Sequence, residues 1–207
     1  MEEVLDIYEQ DYNPQRPVIC FDERPCQLID DVIAPIPMKR GQVLRQDHHY
    51  KRNGTCCVLI AIEPLAGKRI VAVKERRTKK DYADFMKQLE KKYHKADKIV
   101  LVQDNLNTHT PSSFYEAFSP ENAFELTQRF QMVYTPKKAS WLNMAEIELS
   151  ALAKQCLDRR LSNMTKLSRE VYAWAKQRNQ KKTTVSWQFT KNIAREKLGR
   201  HYDIIRN

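Results

Sequence analysis

The sequence predicts an α/β fold, a mixed five-stranded sheet with helices on both faces. Short apolar runs rich in β-branched residues have the composition of strands buried on both faces, and the run at 99–102 is the clearest of them. Between the runs lie segments whose apolar residues recur at helical spacing. A strand, helix, strand order implies a right-handed crossover and therefore a parallel pair of strands.

The first half of the chain is predicted to contribute three strands and one long helix. A short strand at 18–21 is followed by two carboxylates, and proline and glycine break residues 24–53 into an extended loop or small insertion. The next apolar runs, 55–62 and 68–74, form a hairpin because a turn containing proline and glycine separates them. Helical spacing follows at 81–93.

The second half is predicted to complete the sheet and cover it. A fourth strand at 98–103 can lie beside the first, and a fifth strand is expected at 130–134 after two short helices. A strong helix follows over 142–157, with one apolar stripe to face the sheet. Two more helices, near 167–178 and 190–198, lie in the basic end of the chain.

Length and composition exclude several classes of protein. At 207 residues, the chain holds one sizeable domain, or one domain with a small appendage. No apolar run approaches the roughly 18–20 residues of a membrane span, and the acidic N-terminus lacks a signal-peptide pattern, so we expect a cytosolic protein. There are five cysteines and no CxxC pair, which indicates reduced, buried thiols. A metal site at Cys20 and Cys26 is disfavoured because no second pair of cysteines has the spacing of ligands.

The formal charge of +10 is distributed unevenly. Residues 1–136 hold 20 basic and 20 acidic side chains, whereas residues 137–207 hold 16 basic and 6 acidic ones. A basic third beside a neutral body suggests a polyanionic partner, most simply nucleic acid. Basic surfaces of this size also occur without any ligand, so charge alone leaves the partner open.

Three carboxylates occupy positions where α/β proteins place their chemistry. Asp22 ends or lies within the first strand, Asp104 follows the fourth, and Glu146 lies early in the long helix, at the border of its apolar stripe. Glu148 faces another direction, because each helical residue turns by about 100°. Gathered carboxylates repel unless a cation neutralises them, and oxygen ligands suit Mg²⁺ or Mn²⁺. Two such ions can promote displacement at a phosphodiester.

A purely structural explanation of these acids stays open. Asp22 and Asp104 are also typical of turns at strand ends, and the helix dipole favours an acid early in a helix. Asp47, His48 and His49 suggest a second metal site, but they lie in the polar loop without a further ligand at fixed spacing, which favours a solvated loop.

Three segments carry a resemblance to a known family. They are Val18-Ile19-Cys20-Phe21-Asp22-Glu23, Val102-Gln103-Asp104-Asn105-Leu106-Asn107-Thr108-His109, and Tyr134-Thr135-Pro136-Lys137-Lys138-Ala139-Ser140-Trp141-Leu142-Asn143-Met144-Ala145-Glu146. In this order they resemble the catalytic blocks of a DDE transposase of the insertion-sequence-630 branch of the mariner-like superfamily. The resemblance extends over roughly residues 15–200, and its third block favours Glu146 over Glu148 as the third acid.

The resemblance implies an RNase H-like fold and cut-and-paste movement of an insertion sequence with inverted repeats, usually into a TA target. It implies that Asp22, Asp104 and Glu146 are catalytic and hold two Mg²⁺ or Mn²⁺ ions. Double-stranded DNA, as element ends and target, would be the partner. The active form would be a homodimer in the bacterial cytosol, associated with the nucleoid.

Further residues receive roles from the same resemblance. Asn105 and His109 would shape the site or contact phosphate, Asn143 would cap or orient the helix of Glu146, and Trp141 would pack below the site. Four basic residues are predicted to contact DNA: Lys137, Lys138, Arg76 and Arg77. The two arginines are also explained as a solvated junction between a strand and a helix.

The chain is expected to divide into three parts: a lead-in segment at 1–16, an RNase H-like DDE catalytic domain at 17–165, and a basic helical extension packed on it at 166–207. Members of the family usually carry an N-terminal helix-turn-helix domain, which the lead-in segment is too short to hold. Two alternative functions follow, a non-catalytic DNA-binding remnant of a transposase and an RNase H-like structure-selective nuclease.

Overall fold

The computed structural model describes residues 1–199. Its strands are β1 (Val18–Asp31), β2 (Tyr50–Glu63), β3 (Lys68–Lys74), β4 (Ile99–Gln103) and β5 (Phe130–Tyr134). Its α-helices are α1 (Glu2–Tyr8), α2 (Lys79–Lys92), α3 (Ser112–Ala117), α4 (Pro120–Arg129), α5 (Ala145–Leu152), α6 (Met164–Gln180) and α7 (Lys191–Lys197). Within this range, no helix has the length and apolar character needed to cross a bilayer.

The five strands form one mixed sheet in the order β3-β2-β1-β4-β5. β1, β2 and β3 are antiparallel neighbours, whereas β4 runs parallel to both β1 and β5. The predicted placement of the fourth strand beside the first is therefore confirmed. In this register Cys20 pairs with Val102, so Asp22 and Asp104, each two residues further along, lie at the same level.

The first two strands are longer than the sequence indicated, and they pair as a hairpin that was not predicted. β1 continues to Asp31 and β2 begins at Tyr50, so much of the loop predicted at 24–53 is paired strand. The outer part of this hairpin is mostly exposed and contains a proline, and it therefore lacks the apolar run that marks a buried strand. Residues 32–49 remain as an irregular connection, which we name the arm.

Helices cover both faces of the sheet, as predicted. On one face, α2, α3 and α4 pack over a core built around Phe21, Phe85 and Phe114, which are fully buried. On the other face, α5 and α6 cover apolar residues of β2 and β3. Successive strand residues point to opposite faces, so Asp22 shares the α5 face with Cys20, and Glu23 shares the α2 face with Phe21.

The helix predicted at 142–157 is interrupted. A short 3₁₀ turn at Ser140–Leu142 precedes α5, and a π turn at Ala153–Leu157 follows it. The predicted apolar stripe is buried throughout: Leu142, Ala145, Leu149, Leu152 and Cys156. The segment therefore faces the sheet as expected, although it is not one continuous helix.

The two ends of the described chain pack against each other. Lys191 at the start of α7 pairs with Asp6, and Arg195 donates two hydrogen bonds to Glu2 at 2.7 and 2.8 Å. The last eight residues of the extension predicted at 166–207 lie outside the described residues. All five cysteines are free and buried, as predicted.

Candidate active site

Two of the predicted acids meet because their strands are parallel neighbours. Asp22 lies within β1 and is 9% exposed, whereas Asp104 directly follows β4 and its side chain is 38% exposed. Carboxyl ends of parallel strands meet at one edge of a sheet, where loops leave room for a substrate. Asp22 and Asp104 thus form the base of a candidate site at that edge.

Asn143 connects β1, beside Asp22, to the start of α5, which carries Glu146. Its fully buried amide donates a hydrogen bond to the Phe21 carbonyl at 2.8 Å and lies 3.5 Å from Asp22 Oδ2. Its side-chain oxygen accepts a hydrogen bond from the Ala145 backbone N–H at the start of α5, at 3.1 Å. Glu146, the next residue, is therefore held beside β1 while its side chain stays exposed.

The three acids interact electrostatically. Burial is the main cause that raises the pKa of Asp22, to about 7, and the charges of Glu146, Glu23 and Asp104 raise it further against a hydrogen bond from the Glu23 N–H. A cation placed among these carboxylates would reverse the effect. Carboxylate oxygens are the donors that Mg²⁺ and Mn²⁺ prefer, so the residues present fit a divalent metal.

Asp22→Asn is expected to stabilise the metal-free protein at pH 8. The Asp22 pKa is about 7 in the fold against an ordinary value of 3.8, so the folded state holds this proton more tightly, and the contribution of Asp22 to stability falls as pH rises from about 4 to 7. Asparagine removes this penalty, whose upper bound is about 4 kcal/mol because one pKa unit is worth about 1.4 kcal/mol. Urea unfolding with a chelator, at pH 4.5 and pH 8, measures it. A variant less stable than wild type at pH 8 would contradict the electrostatic account.

His109 connects Asp104 to a fourth carboxylate. Its Nδ1 donates to Asp104 Oδ1 at 2.6 Å, and its Nε2 lies 2.8 Å from Glu23 Oε2. Burial lowers the pKa of His109, but the hydrogen bonds to the two carboxylates outweigh it and raise that pKa to about 9. The hydrogen bond from His109 is in turn the main cause that lowers the pKa of Asp104. At neutral pH the pair is therefore an imidazolium and a carboxylate.

The loop that carries His109 is held in place by hydrogen bonds from the neighbouring strands. The His109 backbone carbonyl accepts hydrogen bonds from Gln103 Nε2 at 3.0 Å and from the Tyr134 hydroxyl at 2.8 Å. Gln103 also accepts a hydrogen bond from the Tyr82 hydroxyl at 2.9 Å, and the Tyr82 ring stacks on the imidazole. These contacts with buried side chains fix the position of His109. His109 in turn fixes the position of Asp104.

Glu23 belongs to this site although the sequence did not single it out. Its side chain is 5% exposed and lies between His109 and Arg77, whose guanidinium is 3.6 Å away. The alternation of strand residues contains a signal that could have found it, because Glu23 falls on the same face as Ile19 and Phe21. A carboxylate on a buried face requires a partner, and His109 supplies it.

Glu148 has a structural position rather than a place among the acids. It is fully buried, and both of its oxygens accept hydrogen bonds from Arg69 and from Arg178, at 2.7 to 3.1 Å. Burial raises the pKa of Glu148, but the two arginines outweigh it and lower that pKa. Of the two glutamates early in α5, Glu146 is the exposed one, and its charge contributes to the raised pKa of Asp22.

The other predicted site residues are exposed. Lys137 and Lys138 are exposed in the turn before α5, Lys138 with a positive φ of 64°, and Arg76 and Asn105 are exposed as well. The prediction that Trp141 packs below the site is wrong. Its side chain is 47% exposed and packs edge-on against Phe189, because the 3₁₀ turn before α5 points it away from the sheet.

The five-stranded mixed sheet, in the order β3-β2-β1-β4-β5, defines an RNase H-like fold. The chain belongs to the DDE superfamily endonucleases, whose family model matches residues 17–168. A search of the curated proteins finds no match.

Solved structures of Mos1 resemble the fold. The Mos1 mariner paired end complex with Mn is 14% identical with a TM-score of 0.56, over 88% of this chain and 55% of that one. A pre-cleavage Mos1 transpososome is 12% identical with a TM-score of 0.47, over 90% of this chain and 61% of that one. The chain thus spans little more than half the length of these relatives.

Proposed function

We propose that this chain is the catalytic part of a mariner-like DDE transposase of the insertion-sequence-630 branch. It would cleave DNA at the ends of an insertion sequence and join the freed 3′-hydroxyl to target DNA. The observation that supports this most is the meeting of Asp22, Asp104 and Glu146 at one edge of the fold of an endonuclease family. The spacing of Pro136, Leu142 and Asn143 before Glu146 supports Glu146 rather than Glu148 as the third acid.

Asp22, Asp104 and Glu146 are the residues that would hold two Mg²⁺ or Mn²⁺ ions. When bound, such ions supply an activated water or hydroxyl and stabilise the charge on the leaving oxygen. Among residues 1–199 these three acids do not bring one oxygen each within 4.8 Å of one another, so one ion does not reach all three as the side chains stand.

The surrounding residues prepare the acids for that role. His109 and the Leu106 N–H both donate to Asp104 Oδ1, so neither of these hydrogen bonds occupies Oδ2, which could be offered to a metal. Asn143 orients Asp22 and the start of α5 together. Protonated His109 between Asp104 and Glu23 keeps one positive charge in the site and limits repulsion before metal binds.

We further propose that duplex DNA lies across this edge of the sheet. Lys137, Lys138 and Arg77 are exposed, and Arg77 lies 3.6 Å from Glu23. They would contact phosphates, which fix position without reading sequence. The active form would be a homodimer acting in the cytosol. Residues 17–165 would form the catalytic domain, and the segments on either side would be packed additions to it.

Metal-dependent cleavage of supercoiled plasmid tests the proposal. We expect nicking with Mn²⁺ or Mg²⁺, none with a chelator, and joining when a DNA with a free 3′-hydroxyl is supplied. Cleavage confined to branched or hybrid substrates would favour a structure-selective nuclease instead. DNA binding without cleavage under any metal would favour a non-catalytic remnant, and either result would overturn the proposal.

A further inference from the structure

A second group of potential metal ligands lies at the end of the arm, directly before β2. Asp47, His48 and His49 each offer a ligand atom, and these atoms all lie within 4.8 Å of one another. The side chains of His48 and His49 are 84% and 66% exposed, so an ion can reach them from solvent. The three residues touch none of the active-site acids in the contacts described above.

The spacing of these atoms suits a single tetrahedral ion. Asp47 Oδ1 lies 2.8 Å from His49 Nδ1 and 3.8 Å from His48 Nδ1. Two ligands of a tetrahedral zinc ion, each about 2.1 Å from the metal, are about 3.4 Å apart. The two separations lie on either side of that value, and the shorter one is a hydrogen bond between the His49 ring and Asp47 that an ion would replace.

Arg160 holds the backbone of the three ligand residues in place without contacting their ligand atoms. Arg160 donates to the Asp47 carbonyl at 2.6 Å, to the His49 carbonyl at 3.2 Å and to Asp31 Oδ1 at 2.6 Å. Its guanidinium also lies over the Tyr50 ring, 5.8 Å from the centroid. The segment is therefore fixed to the body of the protein before any ion binds, which lowers the entropic cost of binding.

We propose that Asp47, His48 and His49 bind one transition-metal ion of the zinc type, separately from the active site. Two imidazole nitrogens and one carboxylate suit Zn²⁺ or Co²⁺, whereas carboxylates alone suit Mg²⁺ and Mn²⁺. The two sites are thus selective for different ions. The bound ion links both histidines to Asp47 and fixes the foot of the arm, which connects β1 to β2.

Co²⁺ titration in the presence of excess Mg²⁺ tests the proposal, because tetrahedral Co²⁺ gives a strong visible spectrum that octahedral Co²⁺ lacks. Chelator-treated wild type should bind one Co²⁺ per chain with that spectrum, and Zn²⁺ should displace it. His48→Ala and His49→Ala should each weaken binding by at least about tenfold, the lower limit found when even indirect metal partners are removed. His94→Ala, another exposed histidine, is the matched control and should bind as wild type does.

Wild type without saturable Co²⁺ binding at about millimolar metal would overturn the proposal, as would unchanged affinity in both histidine variants. Asp104→Asn separates this site from the active site. Retention of the Co²⁺ spectrum in that variant supports two independent sites, and its loss would show that the ion binds at the catalytic acids instead.

Discussion

Replacing Asp104 with asparagine is expected to abolish metal-dependent DNA cleavage without unfolding the protein. Asparagine retains the size of the side chain and an oxygen that can accept the hydrogen bond from His109, but it removes the negative charge that would hold a metal. Loss of a metal ligand removes several kcal/mol of transition-state stabilisation, which corresponds to a decrease of at least about 10³-fold in rate. Plasmid nicking with Mn²⁺ measures the rate, and circular dichroism measures the fold.

Asp97→Asn is the matched control for this variant. Asp97 is exposed just before β4, at the opposite end of the strand that Asp104 follows, so the same change of charge there should leave cleavage unaltered. Cleavage by Asp104→Asn above the background of a chelator-treated sample would refute the assignment of the site.

Glu148→Gln is expected to produce the largest loss of stability among single changes in α5. It leaves the fully buried Arg69 and the largely buried Arg178 without their common carboxylate. Removing one partner of a buried ion pair costs about 3–5 kcal/mol, because the remaining charge stays buried and unpaired. Urea unfolding at pH 7, followed by tryptophan fluorescence, gives the change in the free energy of unfolding.

Glu146→Gln provides the comparison, since it lies two residues away in the same helix but is exposed. Its free energy of unfolding should stay within about 0.5 kcal/mol of wild type, as is usual for surface substitutions, while cleavage is lost. The opposite pattern, in which Glu146→Gln unfolds the protein and Glu148→Gln leaves it stable, would exchange the roles given to the two glutamates.

The sequence was sufficient to predict those elements whose structure is determined by a short stretch of chain. The apolar run of β4 identified a central strand, and its crossover predicted the parallel pairing that brings Asp104 level with Asp22. The apolar stripe beginning at Leu142 likewise identified the buried side of the following helix. Local composition and spacing carry this information, so the fold class and the two strand acids could be derived from them.

Contacts between distant residues could not be derived in this way. Glu148 forms ion pairs with Arg69 from β3 and with Arg178 from α6. The local sequence around each of these residues does not identify its partners. The same holds for Glu23, whose partner His109 comes from the loop after β4. The extended half of β1 was missed for a different reason, because its pairing with β2 rather than its own apolar content makes it a strand.

Calorimetric titration of Mn²⁺ into wild type and Asp104→Asn tests the central claim most directly. Short duplex DNA is present, and one equivalent of Zn²⁺ is added beforehand to fill the site proposed at Asp47, His48 and His49. The claim is that Asp22, Asp104 and Glu146 together hold divalent metal against DNA. We expect saturable Mn²⁺ binding by wild type and its loss, or a weakening of at least about tenfold, in Asp104→Asn. Equal Mn²⁺ binding by the two proteins, or none by wild type, would contradict a metal site at these acids.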